Sequence, residues 1–263
     1  MKKSTTITAV ASVLLAAPVA FAALDRGEEI AKKVAAANLG YGDMTAHLEM
    51  ILEDAEGQSS RRVMRVKSLE RRAADQGDLS LVVFESPRDV KGMALLSHAG
   101  VLDGDEQWLY LPAAKRVRRI AGGNTSGPFV GSEFAYEDIT GTEVGKYAWH
   151  YVAEGQCPGA AGKCFQLESR PKYDDSGYSR RVVWVDESAY RVHKIDFYDR
   201  RDALLKTLTY KNYKQHGKFW RAGEWEMKNH QSGKKTRLVF TDFSFGNGFE
   251  ESDFHRSVLK RIR

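Results

Sequence analysis

Thr45-Ala-His-Leu-Glu-Met-Ile-Leu-Glu53 repeats every two residues: Ala46, Leu48, Met50 and Leu52 fall on one face, Thr45, His47, Glu49 and Glu53 on the other. That alternation predicts a strand with one buried face. Further strand-like runs follow at Arg62–Leu69, Leu79–Glu85, Gly92–His98, Gln107–Leu111 and Arg116–Ile120. After a gap they resume at Tyr147–Ala153, Phe165–Ser169, Arg181–Asp186, Arg191–Tyr198, Leu204–Tyr213, Phe219–Asn229 and Thr236–Phe245. Turn chemistry separates them at Ser86-Pro87, Asp103-Gly104, Pro112-Ala113, Asp174-Asp175-Ser176-Gly177, His216-Gly217 and Ser232-Gly233. Before the first strand, Ile30, Val34 and Ala37 recur at helical spacing, which predicts a helix over about Asp25–Ala37 ending near Gly40. Apolar residues in Glu251–Arg263 predict a short closing helix. The expected form is mainly β (α+β), a single curved antiparallel sheet around a few helices, and no βαβ alternation supports a Rossmann-type or α/β-barrel fold.

Composition agrees with a folded domain: of 263 residues, 42% are hydrophobic, 29% charged and 11% aromatic. Disordered, collagen-like and multi-pass membrane chains are excluded on that basis. At the start, Lys2 and Lys3 precede an apolar run from about Ile7 to Phe21, and Ala20-Phe21-Ala22 is a small-x-small cleavage site. Residues 1–22 are therefore expected to be a signal peptide cleaved after Ala22, and residues 23–263 one domain. The run is shorter than the ~20 apolar residues of a membrane anchor. With no cysteine near the site for lipid attachment, the product is expected to be soluble in the periplasm of a Gram-negative-type cell. Without Lys2 and Lys3, 38 basic residues face 35 acidic ones, a balance that does not favour a nucleic-acid partner.

Cys157 and Cys164, the two cysteines, bracket a Pro-Gly-Ala-Ala-Gly turn between strand-like runs. In an oxidising compartment they read as a disulfide at a hairpin tip; a redox or metal pair is the alternative, which the spacing does not fit. Seven scattered histidines offer no pair at ligand spacing, and no nucleophile elbow, zinc-protease helix or phosphate loop is present. No catalytic residue, metal site or cofactor is expected.

One continuous segment stands apart. Trp108-Leu-Tyr-Leu-Pro112 places Trp108 and Tyr110 on one strand face, and the return strand carries Lys115, Arg116, Arg118 and Arg119 around Val117. Beyond Ile120 glycines interrupt Phe129 and Val130, and Ser132 is expected to cap a helical turn holding Phe134 and Tyr136. The glycine-rich part reads either as a mobile flap or as an ordinary core-covering loop. The cations read either as a solvated hairpin face or as an anion or partner contact.

Trp108-Leu-Tyr-Leu-Pro112, Lys115-Arg-Val-Arg-Arg-Ile120 and Gly131-Ser-Glu-Phe-Ala-Tyr-Glu-Asp138 together resemble the signature of the outer-membrane lipoprotein-sorting protein family, a LolA-like group often associated with RND-type transporters. The resemblance implies a LolA/LolB-like incomplete antiparallel β-barrel, its mouth plugged by helices and its hollow taking acyl chains. It implies no enzyme but a monomeric periplasmic carrier for a lipid or lipoprotein, with an RND-type inner-membrane transporter and an outer-membrane acceptor as partners; a periplasmic lipid- or lipoprotein-sensing regulator is the alternative. On this reading Trp108, Tyr110, Leu111, Val117, Phe129, Val130, Phe134 and Tyr136 form the lipid-binding wall or lid. Lys115, Arg116, Arg118 and Arg119 meet a headgroup or partner.

Overall fold

Each two-residue repeat becomes a strand because only one pleated face can reach the hydrocarbon core. The computed structural model describes residues 18–71, 76–102 and 104–262, with side chains from Arg26 onward. Six strands, β1 (Asp43–Glu53), β2 (Ser59–Leu69), β3 (Leu79–Ser86), β4 (Ala94–His98), β5 (Glu106–Leu111) and β6 (Arg116–Ile120), form one antiparallel meander. Seven more form a second: β7 (Tyr147–Gln156), β8 (Lys163–Pro171), β9 (Tyr178–Asp186), β10 (Val192–Asp199), β11 (Leu204–His216), β12 (Phe219–Asn229) and β13 (Lys235–Phe245). Strand β1 pairs with β13, Leu48 opposite Phe240, and joins the meanders into one 13-stranded sheet. Strands β6 and β7 are its two edges and do not pair, so the sheet is an incomplete antiparallel barrel.

Connectivity then dictates what covers the hollow. The chain leaves the sheet at one edge, β6, and re-enters at the other, β7, so residues 121–146 must pass between the two edges. Their side chains join the core of the inner face, where Leu48, Met50, Met64, Phe84, Leu95, Leu109, Val183, Leu208, Met227 and Leu238 meet Phe129, Phe134 and Tyr136. A second cluster lies on the opposite, outer face of β3 to β5, where Leu79, Leu81, Leu96 and Trp108 pack under Phe254 and Leu259 from the C-terminal end.

Helix α1 runs over Pro18–Asn38, beginning before the expected Asp25. The expected cleavage point after Ala22 falls within α1, and residues 1–17, which hold the charged start and most of the apolar run, lie outside the described residues. Ile30 and Ala31 enter the inner cluster. Gly27 makes this possible, because a Cβ there would sit 2.6 Å from the Tyr151 backbone N and 2.7 Å from the His150 carbonyl carbon. Among the described residues no helix is long and apolar enough to cross a membrane.

Two local expectations change and a third, the hairpin disulfide, holds. The closing helix is a pair of 3-10 turns, Glu251–Phe254 and Arg256–Arg261, divided by His255 in an extended conformation. The short helix α2 spans Tyr136–Ile139 and is not capped by Ser132, whose hydroxyl turns to the Phe134 carbonyl at 3.4 Å. Its first turn is fixed by the Asp138 carboxylate, which accepts the Ala135 N–H at 2.7 Å. Cys157 and Cys164 are joined as a disulfide at the tip of the β7–β8 hairpin.

Candidate functional site

The strap formed by residues 121–146 is built to present aromatic rings to the hollow. Pro128 and Ala135 form a β-bridge, and the Phe129 N–H donates to the Phe134 carbonyl at 2.7 Å, closing residues 129–134 into a tight loop. Phe129 and Phe134 are 1% and 0% exposed. The Phe129 ring stands 5.8 Å from Phe84 and 5.6 Å, edge-on, from Tyr136. Val130, a β-branched residue, is held at φ 46°, a strained conformation, and its carbonyl accepts the Arg62 guanidinium.

Buried charge pins the strap. Asp138 receives the Lys206 ammonium at 2.7 Å and the Tyr178 hydroxyl at 2.9 Å, and the two ion-paired side chains are only 4% and 5% exposed. Lys206 also donates to the Glu133 carbonyl at 2.9 Å. Farther along, Lys146 pairs with Asp105 at 2.6 Å, both side chains nearly fully buried, and Asp105 accepts the Thr140 hydroxyl as well. Among the described residues Glu137 has no cation paired with it. It accepts the Tyr173 hydroxyl at 3.0 Å, the Ser176 hydroxyl at 2.9 Å and the Gly177 N–H at 2.8 Å. Burial, with neighbouring Asp138 adding to it, pushes the Glu137 carboxyl above the usual carboxylate range. Gly177 fits because any Cβ would lie 2.7 Å from that of Ser126.

The eight apolar positions singled out in the sequence divide between two faces. Leu111, Phe129, Val130, Phe134 and Tyr136 belong to the inner cluster. Trp108, Tyr110 and Val117 belong to the outer cluster, because Trp108 and Tyr110 alternate with the inward Leu109 and Leu111 along β5. Lys115, Arg116, Arg118 and Arg119 are exposed at the β5–β6 end of the sheet, and Arg119 pairs with Glu106 at 2.8 Å. The glycine-rich segment is packed as a plug.

Sequence reasoning passed over the residues that hold that plug. A signal was present for one of them, Lys206, and the same signal marks Arg181, buried elsewhere on the sheet. Lys206 occupies the same register as Leu208 and Tyr210 along β11, and Arg181 the same register as Val183 and Val185 along β9. Arg181 is buried, its Cζ 3.8 Å over the Tyr147 ring and its Nε 3.1 Å from the Ser169 hydroxyl. A charged residue in an apolar register marks a place where tertiary partners, invisible in sequence, satisfy it.

An incomplete antiparallel barrel whose open side is plugged by the chain's own crossing segment defines a LolA-like protein, and comparison with known structures agrees. A "putative outer membrane lipoprotein-sorting protein domain" from Vibrio parahaemolyticus is 49% identical, covering 90% of this chain and 100% of its own, with a TM-score of 0.87. A DUF1329 family protein from Desulfovibrio piger is 26% identical over 90% of this chain and 99% of its own, TM-score 0.84. A LolA superfamily protein from Nitrosomonas europaea, 18% identical over 91% of this chain and 98% of its own, shares the fold at a TM-score of 0.67. A family profile described as an uncharacterized protein matches residues 76–261. No curated protein matches the chain. The chain belongs to the outer-membrane lipoprotein-sorting protein family and has the LolA-like fold.

Proposed function

We propose that this protein is a periplasmic carrier that shields acyl chains of a lipid or lipoprotein in the space its strap fills when empty. The observation that carries this reading is the fully buried pair Phe129 and Phe134, flat side chains on a crossing segment rather than on the sheet. Each methylene that takes their place leaves water at a gain of about 0.8 kcal/mol. Lifting the strap opens the hollow, and reseating it expels the cargo, with no bond made or broken. Export is completed by cleavage after Ala22. The exposed cations Lys115, Arg116, Arg118 and Arg119 meet an acidic headgroup or an acidic surface of an RND-type inner-membrane transporter, which loads a monomeric carrier for delivery to an outer-membrane acceptor.

Uptake of a fluorescent fatty acid tests the reading. Wild-type protein is expected to bind the probe with increased protease cleavage between residues 121 and 146. Phe129→Asp/Phe134→Asp is expected to abolish uptake while the protein still unfolds cooperatively. Uptake without any change in strap protection, or no uptake at all, refutes it.

A further inference from the structure

Away from the strap, on the outer face, the C-terminal turns and the β5–β6 hairpin form the two walls of a groove of about 800 Å³, with Arg116 and Arg119 in one wall, Arg256 and Lys260 in the other, and Trp108 and Val117 between them. Its volume is that of a small-ligand site rather than of a flat protein contact. Five side chains among its walls are Lys or Arg against one carboxylate, Glu106, already paired with Arg119. Among the described residues Lys115, Arg116, Arg256 and Lys260 have no carboxylate partner. Like charges from two separate chain segments have been brought to one groove without compensation, an arrangement that self-repels until an anion enters.

The floor adds a second requirement. Trp108 and Val117 are apolar and lie between the cationic walls. Trp108 is 9% exposed, and its indole N–H is buried with no acceptor. An acidic peptide would supply the charge but gains little from an aromatic and aliphatic floor. A phospholipid meets both features: phosphate oxygens for the cations, and uppermost methylenes for Trp108 and Val117. Indole rings at the headgroup level are the usual meeting point of such chemistry.

We propose that the groove between the β5–β6 hairpin and the C-terminal 3-10 turns captures the phosphate headgroup of an anionic phospholipid still seated in a bilayer, docking the carrier on the membrane. It rests on the carrier reading only for its purpose; the groove's chemistry stands apart from the strap. Arg116 and Arg119 close one wall, Arg256 and Lys260 the other, and His98 and His255 stand beside them.

Cosedimentation with vesicles of phosphatidylglycerol in phosphatidylcholine, against pure phosphatidylcholine, tests the proposal. Wild-type protein is expected to bind the anionic vesicles at least tenfold more tightly, with soluble dihexanoyl-phosphatidylglycerol competing and inorganic phosphate competing at least tenfold more weakly. Arg116→Glu/Arg256→Glu is expected to abolish the preference. Lys228→Glu/Lys234→Glu, an equal charge change at exposed sites outside the groove, is expected to leave the preference intact. Arg256→Glu/Lys260→Glu, on the wall to which the carrier reading gives no role, is expected to lose the anionic preference and keep fatty-acid probe uptake, which separates failure of the groove from failure of the carrier reading. Equal competition by inorganic phosphate, tighter binding of poly-glutamate than of phosphatidylglycerol, or equal losses in Arg116→Glu/Arg256→Glu and Lys228→Glu/Lys234→Glu would each overturn the proposal.

Discussion

The strap over the inner face and the turns over the outer face cover clusters of similar chemistry by different means. The strap is tied by buried charge: Asp138 to Lys206, Asp105 to Lys146, and Glu137 to three donors. The outer cover is held by hydrocarbon, Phe254 and Leu259 at 0% exposure, by the Phe254 carbonyl 2.9 Å from His98 Nε2, and by the Asp43 carboxylate, which accepts N–H groups of Asn247, Gly248 and Phe249 at 2.6 to 3.0 Å. A buried ion pair adds little net stability over an apolar one, yet breaking it singly is severe. The strap therefore has one seated position that is left all at once, whereas apolar turns peel away by degrees.

The largest test of that difference is Lys206→Met, which strands Asp138 without its cation. A loss of about 3–5 kcal/mol is expected in urea unfolding, most of it restored by Asp138→Leu in the same chain. A single-variant loss under about 1 kcal/mol would show that charge does not seat the strap. Next, Phe254→Ala is expected to lower stability by about 3 kcal/mol, with hydrogen exchange rising around residues 246–262 and not in the strap. Spread of that exchange into residues 121–146 would mean the two covers are coupled. Removing the disulfide with Cys157→Ser/Cys164→Ser is expected to lower stability by about 2.5 kcal/mol through the freed loop, leaving protection of both covers alike.

The smallest effect is a contrast in pH response. Glu137 is raised by burial and by Asp138, so the folded chain keeps a proton that the unfolded chain has released. Its contribution is fullest below about pH 4.3 and is lost as pH climbs through the raised value. At Asp43 burial opposes ionisation, but the N–H donors of Asn247, Phe249 and Gly248 outweigh it and hold the carboxyl below its ordinary range. Its contribution is full above about pH 3.9 and is lost as pH falls through the lowered value. Acidifying from neutral is therefore expected first to tighten the strap and only at lower pH to loosen the outer turns. Proteolysis of the two segments across pH reads this directly, and Glu137→Gln should flatten the first response alone.

How far the sequence could be read follows from the same contrast. Alternation revealed the strands, down to the inward set Ala46, Leu48 and Met50, because sheet burial is a local periodicity. The hairpin disulfide was legible because its cysteines flank one turn. The resemblance carried the barrel class. The division of Trp108 from Phe129 was not legible, since it depends on the crossing segment lying over the face that Leu109 and Leu111 point to. Nor were the partners of Lys206 and Lys146, which stand 68 and 41 residues away in the chain.

Because residues 121–146 are covalently anchored at β6 and at β7, the two unpaired edges of the sheet, mouth width and plug position are not separate variables. Splaying the meanders draws this tether taut, and relaxing them slackens it. A fixed length of backbone thereby couples the spread of the two sheet lips to the seat of the stopper.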